Sequence, residues 1–193
     1  VDEMDRALTP TGVPFEFILV DDGSTDNTRA VIQSLMPARP WLRCVAMQNT
    51  PQGKGHGQSA AFCAGFRVAR GGLIATLDAD LQNDPADFPR LLQILRETGA
   101  DMVQGDRSRA RKDNWVRRRT SAIGRFFRRV ILNDRIRDTG CSLRIMKAEI
   151  ARNLPMDFKG MHRFIPALAN QMGFKVVETP VNHRPRTAGT TKY

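Results

Sequence analysis

Two carboxylates one residue apart, Asp78 and Asp80, directly follow the apolar run Leu73-Ile74-Ala75-Thr76-Leu77. Such a run reads as a buried strand, and a strand interior expels charge that nothing compensates. The pair therefore belongs where the strand leaves its sheet, facing a crevice that can hold a hard divalent cation. Alternate residues of an extended exit segment point the same way, so Gln82 joins Asp78 and Asp80 as a third oxygen donor. Mg2+ or Mn2+ on one or two carboxylates, its shell completed by substrate phosphates, fits that donor set. D-x-D alone is common in surface loops; its place behind an apolar strand gives it weight.

A second acidic pair has the same setting. Phe17-Ile18-Leu19-Val20 delivers Asp21 and Asp22 to a strand end, and Gly23-Ser24 makes the tight turn into a helix. Open α/β sheets bind ligands at that edge, where an aspartate can accept hydrogen bonds from a base or ribose. Asp26 reads as a helix-capping carboxylate at the surface.

The elements that must position these groups alternate. Residues 15–20, 42–47, 73–77, 102–104 and 176–178 read as strands; 27–36, 56–70, 85–98 and 160–172 read as helices. That order predicts one α/β domain over 1–193, built on a mainly parallel sheet with helices on both faces. Asp84-Pro85 marks a helix start, followed by Phe88, Leu91, Leu92 and Leu95 at helical spacing. Asp26 or Thr25 caps the earlier helix. Val1 to Leu8 has the spacing of the tail of an amphipathic helix, so a strand is expected to precede it.

Composition narrows the function classes. With 41% hydrophobic residues in 193, the chain can bury one sizeable core. No run approaches the roughly 18–20 apolar residues of a membrane span. Cys44, Cys63 and Cys141 fit neither a disulfide framework nor a zinc site, and His56, His162 and His183 lack metal-ligand spacing. Cys141 reads as a packing residue. Residues 107–137 hold twelve Arg/Lys against Asp113 and Asp134, a local +10 that equals the whole chain's net charge of +10. This stripe predicts an anionic partner: phosphate, acidic lipid or nucleic acid. From Trp115 onward, Val116, Ile123, Phe126, Phe127, Val130 and Ile131 recur near helical spacing among arginines, as in a helix lying at a membrane interface or one packed on a core with a solvated arginine face.

Residues 20–28 (VDDGSTDNT), 49–61 (NTPQGKGHGQSAA) and 77–85 (LDADLQNDP), in that order and spacing, resemble glycosyltransferase family two with the GT-A fold. Residues 138–144 (DTGCSLR), 161–166 (MHRFIP) and 183–193 (HRPRTAGTTKY) resemble its polyprenyl-phosphate branch, the dolichol-phosphate mannose synthase-like enzymes. The resemblance implies an inverting, metal-dependent hexosyltransferase moving a sugar from a UDP- or GDP-linked donor to a polyprenyl (undecaprenyl or dolichyl) phosphate. That chemistry belongs on the cytoplasmic membrane face, in cell envelope or glycan biosynthesis. Asp21, Asp22, Gly23 and Ser24, with the glycine-spaced Gly53 and Lys54, would hold the nucleotide; Asp78, Asp80 and Gln82 would hold the metal. Arg186, Gly189, Thr191 and Lys192 fall on the branch's R-x-x-G-x-S-K pattern, threonine replacing serine, and would close on the donor and acceptor phosphates. Arg117 and Arg163 are candidates for the lipid or its phosphate, and Asp138 for a base or the orienting partner of an arginine. The family's opening strand is absent before Val1, and the branch often continues into membrane helices where this chain stops.

Two other partners remain open. A saccharide or other soluble acceptor would serve the same donor site. A nucleic-acid-binding module would use the basic stripe but leave both acidic pairs idle, since carboxylates repel phosphate unless a metal intervenes; no nucleic acid is expected.

Overall fold

The apolar runs become strands in the computed structural model, which describes residues 1–51, 54–108, 136–156 and 158–185. The chain divides into two compact units, Val1–Ile74 with Lys147–His162 and Ala75–Met146 with Arg163–Tyr193.

In the first unit, β1 (Phe17–Asp21) and β2 (Leu42–Ala46) pair in parallel, from Phe17 against Leu42 to Asp21 against Ala46. The helix between them, α2 (Thr28–Leu35), packs on β2 through a face that buries Ile32. Its first backbone N–H, on Thr28, is accepted by the Asp26 carboxylate at 3.0 Å. α1 (Asp2–Leu8) precedes β1, in register with the amphipathic spacing of that segment. α3 (Gln58–Val68) lies on β1 and buries Phe66; against it packs α5 (Ala148–Asn153), whose Ile150 is fully enclosed. Burying a side chain of that size stabilises by about 1.5–3 kcal/mol.

The second unit centres on a four-stranded sheet in the order β3 (Leu73–Thr76), β5 (Arg144–Lys147), β4 (Met102–Asp106), β6 (Val176–Pro180), the unit boundary falling within β3. β6 runs parallel to β4, Met102 facing Val176, whereas β5 is antiparallel to β4, Met102 facing Met146. The expectation of a mainly parallel sheet is corrected here: the sheet is mixed, because a strand that the apolar pattern did not reveal enters it. That strand opens with Arg144, only 1% exposed, and closes with Lys147. Charges at both ends hid a four-residue strand from the pattern.

α4 (Phe88–Thr98) forms as its spacing predicted, burying Phe88, Leu91, Leu92 and Leu95. A 3-10 turn, Pro85–Asp87, leads into it, and the Asp84 carboxylate accepts the Ala86 N–H at 3.0 Å. Gly99 ends it in the left-handed conformation. The expected helix at 160–172 is a 3-10 turn, Met161–Phe164, continuing into α6 (Ile165–Gln171), which packs on β4 and β6. Among the described residues no helix is long and apolar enough to cross a membrane.

Candidate functional site

The end of β1 carries the first acidic pair, and the two side chains part company there. Asp21 was expected at a ligand, but its side chain has no exposed surface. Its Oδ1 accepts the Ser24 N–H at 2.8 Å, and its Oδ2 pairs with the Arg29 guanidinium at 2.9 Å. Asp21 thus fastens the Gly23-Ser24 turn to α2, and the Ser24 hydrogen bond, with Arg29, holds its carboxyl below the usual value despite burial.

Asp22 grips the glycine-spaced loop instead. Its Oδ1 accepts the His56 N–H at 3.0 Å and lies 2.9 Å from His56 Nδ1, while its Oδ2 accepts the Gly57 N–H at 2.8 Å. Burial alone would raise this carboxyl; the two backbone N–H groups and the imidazole more than offset it and hold it low. The loop must come very close: a Cβ on Gly55, whose φ is +61°, would stand 2.6 Å from Asp22 Oδ2. Gly23, at φ +83°, is equally constrained, since a Cβ there would fall 2.3 Å from a Thr50 methyl. Lys54 sits exposed in the turn just before. His56 is a partner of this edge that metal-ligand spacing could not reveal; the signal available was its place in the G-K-G-H-G run facing a strand-edge aspartate.

The second acidic pair leaves the end of β3. Ser142 Oγ accepts the Asp78 N–H at 3.1 Å and the Asn83 side-chain N–H at 2.8 Å, so one hydroxyl, 2% exposed, clamps both ends of the D-A-D-L-Q-N turn. The neighbouring strand is tied in as well, Thr76 Oγ1 donating to the Ser142 carbonyl at 2.5 Å. Inside the turn, Asp80 Oδ1 accepts the Gln82 N–H at 3.1 Å, and Leu81 is forced to φ +63° with its side chain 57% exposed. A left-handed leucine costs about 1–2 kcal/mol, strain of a kind that gathers at functional sites. Beyond it, the Arg184 N–H donates to the Gln82 carbonyl at 2.8 Å, and Arg184 pairs with Asp84 at 2.7 Å.

Burial, and then the like charge of Asp80, raise the Asp78 carboxyl above its usual value, although Ser142, Arg107 and Arg144 pull the other way. A half-buried carboxylate pushed up by a second one is a place where a cation relieves repulsion. Among the described residues no cluster of three or more His, Cys, Asp or Glu side chains could hold a metal. Asp78, Asp80 and Gln82 carry side-chain oxygens of the kind that Mg2+ and Mn2+ prefer, ions that take few protein ligands and keep positions for phosphate oxygens.

Asp138, a candidate base or orienting partner of an arginine, is paired with Arg107. Its Oδ2 accepts from Arg107 Nε at 2.8 Å and the Arg107 backbone N–H at 3.1 Å, and its Oδ1 from Arg107 Nη2 at 3.1 Å. Burial alone would lower the Arg107 guanidinium; this two-pronged pairing more than offsets it. Glu178 accepts the backbone N–H groups of Arg137 and Asp138 at 2.8 and 3.1 Å, fixing the chain that presents the pair. Burial pulls Arg144 down to about 10, so it stays a cation at neutral pH, and burial pushes the Cys141 thiol up to about 11, consistent with a packing residue.

In the first unit, Ser59 Oγ, 4% exposed, accepts the N–H groups of Gly160 and His162 at 3.1 and 3.3 Å. Its own proton is left to donate to His162 Nδ1, 3.0 Å away, which puts the imidazole proton on Nε2. The next residue, Arg163, is exposed. Gly53, Arg117, Arg186 and Lys192 lie outside the described residues, as does the basic stretch over 109–135.

Solved structures share the fold. Mannosyl-3-phosphoglycerate synthase from Rubrobacter xylanophilus superposes with a TM-score of 0.69 at 18% identity, covering 96% of this chain and 62% of that one. Glucosyl-3-phosphoglycerate synthase from Mycobacterium tuberculosis, in complex with Mn2+, UDP-glucose and phosphoglyceric acid, gives 0.64 at 19% identity over 96% and 67%. The α/β fold is thus that of the GT-A glycosyltransferases. The family model for glycosyl transferase family 2 matches residues 4–154, and the chain belongs to that family. Among curated relatives, the undecaprenyl-phosphate 4-deoxy-4-formamido-L-arabinose transferase of Edwardsiella ictaluri is 35% identical over 97% of this chain and 55% of its own length. The dodecaprenyl-phosphate galacturonate synthase of Rhizobium johnstonii is 37% identical over 93% and 52%. The chain spans about half the length of the curated relatives it matches.

Proposed function

We propose that this chain is the catalytic part of an inverting transferase that moves a sugar from a nucleotide-diphosphate donor to a polyprenyl phosphate at the cytoplasmic face of a membrane. The relatives named for undecaprenyl- and dodecaprenyl-phosphate chemistry support the acceptor class. The observation that carries the reading is the Asp78/Asp80 turn: two carboxylates held at a strand end by Ser142, one of them raised by burial and by its neighbour's charge.

Asp78, Asp80 and Gln82 would hold Mg2+ or Mn2+, which when bound supplies Lewis-acid neutralisation of the departing diphosphate. Asp22, fixing the His56-Gly57 backbone, shapes the edge that receives the base and ribose, with Gly23, Ser24, Gly53 and Lys54 around it; Asp21 braces that edge from within. Arg186 and Lys192, on the branch's closing pattern, add fixed positive charge for the leaving group. A lipid monophosphate is largely ionised near neutral pH, since its second pKa is about 6, so its attack needs positioning more than a base. Asp138 then serves by aiming Arg107, and Arg163 and Arg117 are the cations offered to the acceptor phosphate or membrane.

The test is titration with UDP- and GDP-sugars, with Mn2+ or Mg2+ present and then chelated, followed by transfer assays with and without polyprenyl phosphate. Asp80→Ala should lose calorimetric Mn2+ binding and metal-dependent transfer together; an Asp80→Ala protein with normal turnover would refute the metal assignment. Equal transfer to a soluble saccharide would move the acceptor away from lipid.

A further inference from the structure

Asp22 commits both carboxylate oxygens to the glycine-spaced loop, and the more open side chain at that edge is the one it holds. The His56 side chain is 31% exposed against 18% for Asp22. The Asp22 carboxyl is held low, so at neutral pH it is ionised and only accepts hydrogen bonds. His56 Nδ1, 2.9 Å from Oδ1, therefore carries a proton, and in the neutral ring Nε2 is left as a bare acceptor. Among the described residues nothing hydrogen-bonds to Nε2. The ring is not needed to close the loop, because the backbone N–H groups of His56 and Gly57 already donate to Asp22 at 3.0 and 2.8 Å. Backbone and imidazole are thus both set in place at the carboxyl end of β1, the edge at which open α/β sheets bind ligands.

We infer that His56 is a specificity-determining residue for the donor: held by Asp22 through Nδ1, it offers Nε2 to a hydrogen-bond donor of the nucleoside, either a base N–H or a ribose hydroxyl. This rests on the proposed nucleotide-sugar chemistry, and it moves the reading of the nucleoside from the Asp22 carboxylate to the imidazole that Asp22 orients. Asp22 is then a positioning residue. An acceptor fixed beforehand adds little ordering cost when the ligand arrives. A site built around such a hydrogen bond also rejects an analogue that lacks the donor, because the acceptor is left unpaired.

The experiment is calorimetric titration of the whole chain with UDP and with GDP in Mg2+, followed by the 2′-deoxy, 3′-deoxy and base-methylated forms of whichever binds, N3-methyl-UDP or N1-methyl-GDP. His56→Asn keeps an N–H near the Nδ1 position for Asp22 and removes Nε2. Its urea midpoint should match the parent protein, while its affinity for the nucleotide should fall about three- to tenfold, the loss expected for one hydrogen bond. With the parent protein one of the three analogues should show that same loss, and with His56→Asn no further loss, a cycle that tells base from ribose. His56→Gln, which carries an amide oxygen to about the place of Nε2, should recover part of the affinity. In the parent protein, without any substitution, the His56 Nε2 nitrogen resonance should move on nucleotide addition while Nδ1 stays. Parent-like affinity in His56→Asn overturns the inference, as does an equal weakening of every analogue, the pattern of a ring that only supports the loop. A loss seen with the diphosphate but not with the free nucleoside puts His56 on the phosphates and overturns it too. Binding of neither UDP nor GDP by the parent protein would sink the proposed function, and this inference with it.

Discussion

Removing a single oxygen at Ser142 should loosen the whole acidic turn. Ser142→Ala keeps the backbone carbonyl that accepts from Thr76 and keeps Cβ, so the change isolates Oγ and opens almost no cavity. Two donors are stranded, the Asp78 N–H at 3.1 Å and the Asn83 amide at 2.8 Å, beside a hydroxyl position 2% exposed and an asparagine 3% exposed. An unsatisfied buried donor costs about 1–3 kcal/mol, so the variant should lose about 2–5 kcal/mol after some relaxation. At about 2–4 °C per kcal/mol for a chain of this size, thermal melting should fall by at least several degrees. Urea unfolding is the assay, the midpoint dropping with the slope unchanged. Ser34→Ala is the control, since Ser34 Oγ donates to the Val31 carbonyl at an exposed site and should cost under about 0.5 kcal/mol. Because Asp78 is anchored through the same oxygen, Mn2+ affinity should fall in parallel. A Ser142→Ala protein as stable as Ser34→Ala, with unaltered Mn2+ binding, would show that this hydroxyl does not organise the turn.

Asp22 has a folded pKa below its ordinary 3.8, so the stability it contributes is present above pH 3.8 and is lost as pH falls through the lower folded value. Wild type should therefore exceed Asp22→Asn in unfolding free energy at pH 6, and the gap should close on acidification toward pH ~2. Gly105→Ala should destabilise by about 1–3 kcal/mol in denaturant titration, because its Cβ would meet the Leu143 carbonyl at 2.7 Å and Cys141 Sγ and a Val181 methyl at 3.0 Å. Cys141, fully buried with its thiol pushed up to about 11, should resist iodoacetamide at pH 8 until the chain is unfolded, as peptide mass analysis would show.

Both strand-edge acidic pairs could be read from residue order, because an apolar run ending in carboxylates carries its own physical logic. The helix over Phe88–Thr98 was equally plain, its four buried residues lying on one stripe behind a proline start. Harder to see was β5, since hydropathy treats arginine as surface and Arg144 is enclosed, its Nη2 donating to the Cys141 carbonyl. The division of labour between Asp21 and Asp22 was hidden as well. Adjacent strand residues point to opposite faces, so one turned toward Arg29 and the other toward the glycine loop, a choice set by packing. Ser142 and Ser59 escaped notice because a serine gains meaning only from the donors that tertiary folding brings to it.

The strand order has a consequence for biogenesis. β5 lies between β3 and β4 yet is translated after both, with residues 107–143 separating it from β4. A ribosome therefore completes the two flanking ribbons while the middle one is still unmade, leaving their hydrogen-bonding edges open to other nascent polypeptides. Distant pairing of this sort slows folding, so holdase chaperones should matter most in the interval between emergence of Asp106 and emergence of Lys147.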